Sequence, residues 1–442
     1  MKFYRIDMTS TAHASRTIPA QMKFETSVRP YQPMPLLRWQ GMLHFFLGLG
    51  AAATCLPVFA ADSDVFRPYV GYSYAYDENV LGIPNGANTS GVDLSDTSRR
   101  AEAGLAINKR ISQQVFTANL NVSHVNYDRM RELDNDSKDL LGNWNWHVGD
   151  HVEGNLGASY VEGLAPYVEG LTSLANLNTR ERNLRTKRRE FFDGAWRLHP
   201  SWRLRGGLSR DSLSYDLETQ QAGNRVEDTA ELGLDYLAHS GSTVGVQLRH
   251  TRGNLPNPQQ FGSLAVDNSY DQNEIKAKID WLLTGKTQLQ FLGGYVQRKH
   301  DFFSQRDYSG LNARLIANWQ PTGKIGVTLS GWREIGALDD LTASYTLNQG
   351  LSVGSTWDLT SKLRLEGLLK HETSDYSGTA AVPSLFAEDR IDTYRTASVK
   401  LTYLATDHLK LAVEAHRKNR DSSINGNSYP DNGAMLSSRY EF

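Results

Sequence analysis

From Phe116 to Ser123 every even position is apolar (Phe116, Ala118, Leu120, Val122) and every odd position is polar (Thr117, Asn119, Asn121, Ser123). Successive side chains of an extended strand point to opposite faces, so this segment has one apolar and one polar face; helical spacing would mix the two classes. The same alternation sets Ala230, Leu232, Leu234 and Tyr236 against Thr229, Glu231, Gly233 and Asp235. It recurs with Leu311, Ala313, Leu315, Ala317 and Trp319 against Asn312, Arg314 and Asn318.

Eighteen such segments follow one another, beginning near Phe66, Arg99, Val115, Leu140, His151, Leu184, Trp202, Val226, Thr243, Asn273, Thr287, Leu311, Ile325, Ser344, Lys362, Thr393, Leu409 and Ala434. Their connections alternate in kind. Gly149-Asp150, His199-Pro200-Ser201, His239-Ser240-Gly241, Thr284-Gly285-Lys286, Pro321 to Lys324, Asp358 to Ser361 and Thr406-Asp407-His408 are short and rich in turn formers. Between them lie longer polar stretches, among them 83–98, 128–139, 161–183, 254–272 and 373–391.

An even number of short strands with one wet and one apolar face predicts an all-β fold: a closed antiparallel transmembrane β-barrel with short periplasmic turns, long extracellular loops and both termini periplasmic. Composition fits, since a mean hydropathy of −0.49 is what a barrel gives when every second residue faces water. The alternation is weakest in segments one, thirteen and eighteen.

The first sixty residues read differently. Arg38 precedes Met42, Leu43, Phe45, Phe46, Leu47 and Leu49, and Val58-Phe59-Ala60 offers a small-residue cleavage site. Residues 1–60 are therefore expected to be an N-terminal extension plus secretory signal, with Met22 or Met34 as alternative starts, and 61–442 the barrel. An uncleaved anchor, or a lipoprotein acylated at Cys55, the only cysteine, are the alternatives. Residues 61–442 carry 41 Lys/Arg against 47 Asp/Glu, which argues against a nucleic-acid partner.

Charge in lipid is costly, about 2–4 kcal/mol for Arg or Lys at the bilayer midplane, so the charged parity is expected to line the lumen. Segments six and seven then present a basic stripe of Arg185, Lys187, Arg189, Arg197, Arg203 and Arg205. Glu153, Asp193, Asp211, Glu227, Glu231 and Asp235 oppose it. Two readings stay open: a conduit able to hold a hydroxyl-rich or anionic chain, and an ion-pair lattice that stiffens the wall. Trp144, Trp146, Trp196, Trp202, Trp281, Trp319 and Trp357 lie near short turns, as a periplasmic aromatic girdle would. Tyr440 and Phe442 end the chain as an outer-membrane assembly signal would.

No catalytic set emerges, and neither a cofactor nor a metal is expected. Thr284-Gly285-Lys286-Thr287 has Asp280 where a phosphate loop needs its first Gly. Asp134, Asp136 and Asp139 lack the Gly and terminal Glu of a calcium loop. The tandem heptads Tyr160 to Pro166 and Tyr167 to Ser173 suggest a loop that could fold inward, or a duplicated surface loop.

The run Arg67-Pro68-Tyr69-Val70-Gly71-Tyr72-Ser73-Tyr74-Ala75-Tyr76-Asp77-Glu78-Asn79-Val80-Leu81 resembles the opening of EpsL-type outer-membrane β-barrels associated with exopolysaccharide biosynthesis in exosortase B-linked loci. That resemblance implies export of a polysaccharide or oligosaccharide, with lipid, the barrel-assembly machinery and periplasmic export components as partners. A porin for uptake of small anions or sugars, or an enzyme or adhesin acting through its loops, are the other readings.

Overall fold

The computed structural model describes residues 65–85, 93–165, 181–261, 264–302, 304–337, 345–377 and 390–442. The segment expected to be a secretory signal, and the whole second heptad, Tyr167 to Ser173, lie outside them.

The described residues form twenty strands. Eighteen form one antiparallel sheet: β1 (Phe66–Asp77), β2 (Asp96–Ile111), β3 (Gln114–Tyr127), β4 (Asn135–Val148), β5 (Val152–Leu164), β6 (Leu184–His199), β7 (Trp202–Tyr215), β8 (Arg225–Leu237), β9 (Thr243–Asn254), β12 (Tyr270–Thr284), β13 (Thr287–His300), β14 (Tyr308–Thr322), β15 (Ile325–Ala337), β16 (Tyr345–Asp358), β17 (Leu363–Ser377), β18 (Arg390–Leu404), β19 (Leu409–Ser422) and β20 (Tyr429–Glu441). The remaining two, β10 (Gln259–Phe261) and β11 (Leu264–Val266), make a small hairpin in the connection between β9 and β12.

Each barrel strand pairs with its neighbours, and β1 closes on β20 through Tyr69↔Glu441 to Asp77↔Gly433. Closure leaves no strand edge with unpaired backbone groups. Both chain ends of the sheet meet at the turn end, where Phe442 N donates to Pro68 O at 3.0 Å.

The outer face carries an apolar belt of defined height. On β7 the outward residues run Trp202, Leu204, Gly206, Leu208 and then Arg210; on β12 they run Trp281, Ile279, Ala277, Ile275 and then Asn273 and Asp271. From Trp202 to Arg210 is about 26 Å along the strand, close to the ~25 Å apolar band of such barrels. Beyond it the outward side chains pair with one another: Arg210 with Asp228 at 2.6 Å, Lys138 with Glu162 at 2.7 Å, and Arg252 with Asp301 at 2.5 Å.

This explains where the sequence reading set strand starts too late. The fourth barrel strand starts at Asn135 rather than Leu140, and the last at Tyr429 rather than Ala434. Past the belt both faces are polar, so the alternation stops while the hydrogen-bonded ladder continues. Ser112-Gln113 joins β2 to β3 with Ser112 at φ 55°, a tight turn with no Gly, Pro, Asn or Asp to mark it in the sequence.

Candidate functional site: the inner wall

Register fixes which side chains share the inner face. On β6 and β7 it holds Arg185, Lys187, Arg189, Phe191, Asp193, Arg197, Arg203, Arg205 and Asp211; on β5 and β8 it holds Glu153, Asn155, Glu227, Glu231 and Asp235. The opposite parity of β6 carries Arg188 and Glu190, but above the belt, so outward charge does occur where there is no lipid to oppose it.

Most of the basic stripe is paired. Arg189 Nη1 donates to both oxygens of Asp211, at 3.0 and 2.8 Å. Arg203 and Arg205 converge on Asp235, whose side chain is fully buried, and Arg203 also lies 3.6 Å from Glu153. Arg249 bridges to Glu231 at 2.5 Å. Asn155 donates to Asp193 at 3.0 Å, and the Tyr270 hydroxyl donates to Glu227. Arg185 and Lys187 stand nearer the loop end of the same face, and neither is free of partners.

Arg197 differs. It stands directly opposite Arg203 in the ladder, and no carboxylate reaches it among the described residues. It borders a recess of about 300 Å³ at the turn end, with Gln113, His147, Asp150, His151, Glu153 and Arg203, so two carboxylates share the lining with the two arginines. Arg197 itself has no carboxylate within ion-pair distance among the described residues, and such a guanidinium is a natural contact for an anionic group.

The wall side chains lie flat because glycines on the next strand leave them room. A Cβ at Gly104 would enter the ring of Tyr69, at Gly253 that of Tyr270, and at Gly350 that of Trp332. Arginines then lie over these rings: Arg439 over Tyr69 with its guanidinium 3.4 Å from the ring centre, Arg298 over Tyr270 at 4.0 Å, and Arg314 over Trp332 at 5.5 Å. Trp332 also donates to Glu372 at 2.9 Å. The alternation gave no sign of these inner-face aromatics, nor of Leu141, Val296 and Ile316 on the same polar parity. A signal was present in the pairing of inward aromatics with glycines, but it requires the register to see it.

At the loop end, two connections fold over the wall. Leu81 and Ile83 after β1, with Met130 and Leu133 after β3, pack on the inward Val125 and Tyr127 as a buried apolar cluster. Asn79 holds the first loop in shape, accepting from Ile83 N and donating to Ile83 O, both at 2.9 Å. Asp96 holds the second, accepting from Met130 N at 2.7 Å and Arg129 N at 3.1 Å. Of the heptad loop, only its start is described: Ala165 packs against Leu213 and Tyr215 on the inner face of β7.

The tryptophans Trp144, Trp196, Trp202, Trp281, Trp319 and Trp357 are exposed on the outer face near the turns. Trp146 shares that face, stacked on Phe192 with ring centres 5.7 Å apart. Tyr440 and Phe442 meet edge to face at 5.1 Å, also outward. Thr284 to Thr287 is a tight turn, its Thr284 hydroxyl accepting from Lys286 N at 3.1 Å. Asp136 and Asp139 point to opposite faces of β4, so these three aspartates cannot share one ion.

Residues 262–442 match the family model described as Putative beta-barrel porin 2. No curated protein sequence matches the chain. Among solved structures, the outer membrane protein opdK from Pseudomonas aeruginosa is similar at 11% identity and TM-score 0.46, over 86% of this chain and 100% of that one. OccK2 (OpdF) of the same organism is similar at 11% identity and TM-score 0.46, over 86% and 98%. A BenF-like porin from Pseudomonas fluorescens Pf-5 is similar at 10% identity and TM-score 0.46, over 86% and 98%.

Proposed function

We propose that this chain is a porin-type channel of the Gram-negative outer membrane that passes small, hydrophilic, predominantly anionic solutes. Support for the membrane comes from the apolar belt and the tryptophans at its turn end, where amphipathic rings favour the headgroup level. On this reading the turns and both ends of the sheet face the periplasm, the Trp residues form a girdle, and Tyr440 with Phe442 serve assembly.

The observation that carries the solute class is Arg197, the wall arginine facing Arg203 with no carboxylate of its own, at a recess of about 300 Å³. Much of the other wall charge is matched by a partner, while Arg298, Lys278 and Lys400 add wall cations with no carboxylate within ion-pair distance among the described residues. The match of residues 262–442 to a porin family model supports the channel reading. Transport here is passive: solutes exchange contacts along the wall and no bond is made or broken.

Export of a polysaccharide is the second reading, favoured by the resemblance of Arg67 to Leu81. The inward-packed cluster of Leu81, Ile83, Met130 and Leu133 narrows the outer mouth on one side, which suits small solutes better than a polymer. Planar-bilayer recording separates the readings. We expect anion-selective conductance that small sugar acids reduce and long oligosaccharides leave unchanged. Block by long polymer would favour export, and a barrel that never conducts would overturn both.

A further inference from the structure

We propose that Asp77, His416 and Asp431 form a binding site for a first-row divalent metal ion of the zinc class, clamping the seam where the first strand of the barrel meets the last. One ligand atom from each residue lies within 4.8 Å of the others, and all three residues are buried. They come from three adjacent strands, Asp77 from β1, His416 from β19 and Asp431 from β20, so a shared ion would tie together the strands at the closure.

The register makes the cradle. Gly433 on β20 stands directly opposite Asp77 on one side and directly opposite His416 on the other. Having no side chain, it leaves the space between them open on the inner face, and Asp431 enters that space from two positions along the same strand.

The polar inventory of the three residues suits a bound cation. Asp77 is 1% exposed and Asp431 5%, yet Asp77 Oδ2 and Asp431 Oδ1 meet no hydrogen-bond donor. Their other oxygens are engaged: Asp77 Oδ1 accepts from Asn79 N at 2.9 Å, and Asp431 Oδ2 accepts from Lys418 Nζ at 2.9 Å. His416 Nε2 lies 3.5 Å from the same Asp431 oxygen. Lys418 offsets one of two buried carboxylates, and the other is balanced either by a proton shared between Asp77 and Asp431 or by a cation held between them, since a buried uncompensated charge is costly. Two carboxylates and one imidazole suit Zn²⁺, Mn²⁺ or Fe²⁺, whereas Ca²⁺ requires six to eight oxygens.

Refolded full-length protein in detergent, freed of metal by chelation, is titrated with Zn²⁺ by calorimetry and with Co²⁺ by absorption. We expect one tight site per chain, d–d bands of a nitrogen- and oxygen-ligated Co²⁺, and a higher melting temperature with Zn²⁺. Even outer-shell changes weaken metal sites on the order of 10- to 100-fold, so His416→Ala and Asp77→Asn should lose at least that much affinity. Gel mobility before and after heating checks that the variants fold. Because the Co²⁺ spectrum is read on the unmutated chain, misfolding of a variant leaves the test intact. Absence of binding by the unmutated chain, or equal affinity in folded variants, would overturn the site and leave two carboxylates that share a proton.

Discussion

Arg205 on β7 and Asp235 on β8 meet in a two-point pair, Arg205 Nε donating to Asp235 Oδ2 at 2.7 Å and Nη2 to Oδ1 at 2.9 Å. The guanidinium crosses above Gly233, and Gly245 on the next strand leaves room for the carboxylate. Planar bidentate pairing of this kind is the strong form of an Arg–carboxylate contact. Removing one partner strands a buried charge, so Asp235→Asn should cost about 3 kcal/mol. The midpoint of urea unfolding measures this, and a shift below a quarter of that value would show that lumen water screens the pair.

Arg197→Gln should behave in the opposite sense. Like charges facing across a ladder destabilise by about 0.2–1 kcal/mol, so relieving the Arg197–Arg203 opposition should leave stability unchanged or slightly raised. Anion selectivity should fall, read as a shift of reversal potential in a salt gradient. Unchanged selectivity would remove Arg197 from the solute path.

Gly104→Ala places a methyl inside the space held by the Tyr69 ring, on which Arg439 lies. Overpacking of this kind costs about 1–3 kcal/mol. Adding Tyr69→Ala to Gly104→Ala should recover only part of the loss, because the clash with the ring is gone while the Leu120 carbonyl oxygen still lies 2.5 Å from the new methyl. Strictly additive effects in that double-mutant cycle would contradict direct contact.

Met130 and Leu133 are 1% exposed in the cluster that covers the inner wall at the loop end. Cutting Leu133 to Ala should cost about 2–5 kcal/mol in the local stability of that fold-over. Single-channel conductance should rise and become noisier while the strand ladder stays intact. A variant with identical conductance would place the cluster away from the path.

The outer loops also respond to acid. The Asp93 carboxylate is held below the usual range first by the hydrogen bond from Arg129, then by Ser95 N and the Ser95 hydroxyl. A carboxyl whose folded value is lowered contributes stability that is complete above its ordinary value and is lost as pH falls through the lowered one. The Arg129–Asp93 clamp should thus persist to below about pH 4. Hydrogen exchange of residues 93–95 and 128–134 at falling pH reads this, and Asp93→Asn should show the loosened state at neutral pH.

How much of this was legible in the chain differs by feature. Period-two alternation from Phe116 to Ser123, short turns such as Gly149-Asp150 and an outward Trp near many of them are local properties, and they sufficed for the antiparallel closed barrel and its eighteen strands. The cost of charge in lipid likewise fixed the inner parity within the belt, as at Arg203 and Arg205. Beyond the belt that cost disappears, which is why the starts of β4 and β20 were misplaced and why outward Arg210 and Asp228 carry charge without penalty.

What only the tertiary structure decided depends on residues far apart in sequence meeting across the ladder. A stripe of arginines in sequence is a field; with Asp235 and Asp211 set beside it by register, it becomes mostly a lattice of pairs with Arg197 left over. Tyr69 rests on Gly104, and Asp77 faces His416 across Gly433, because closure brings β1 beside both β2 and β20. Alternation specifies which face a side chain takes, since that follows from its own backbone. Its neighbour on that face is set by strand register, which the closed sheet fixes as a whole.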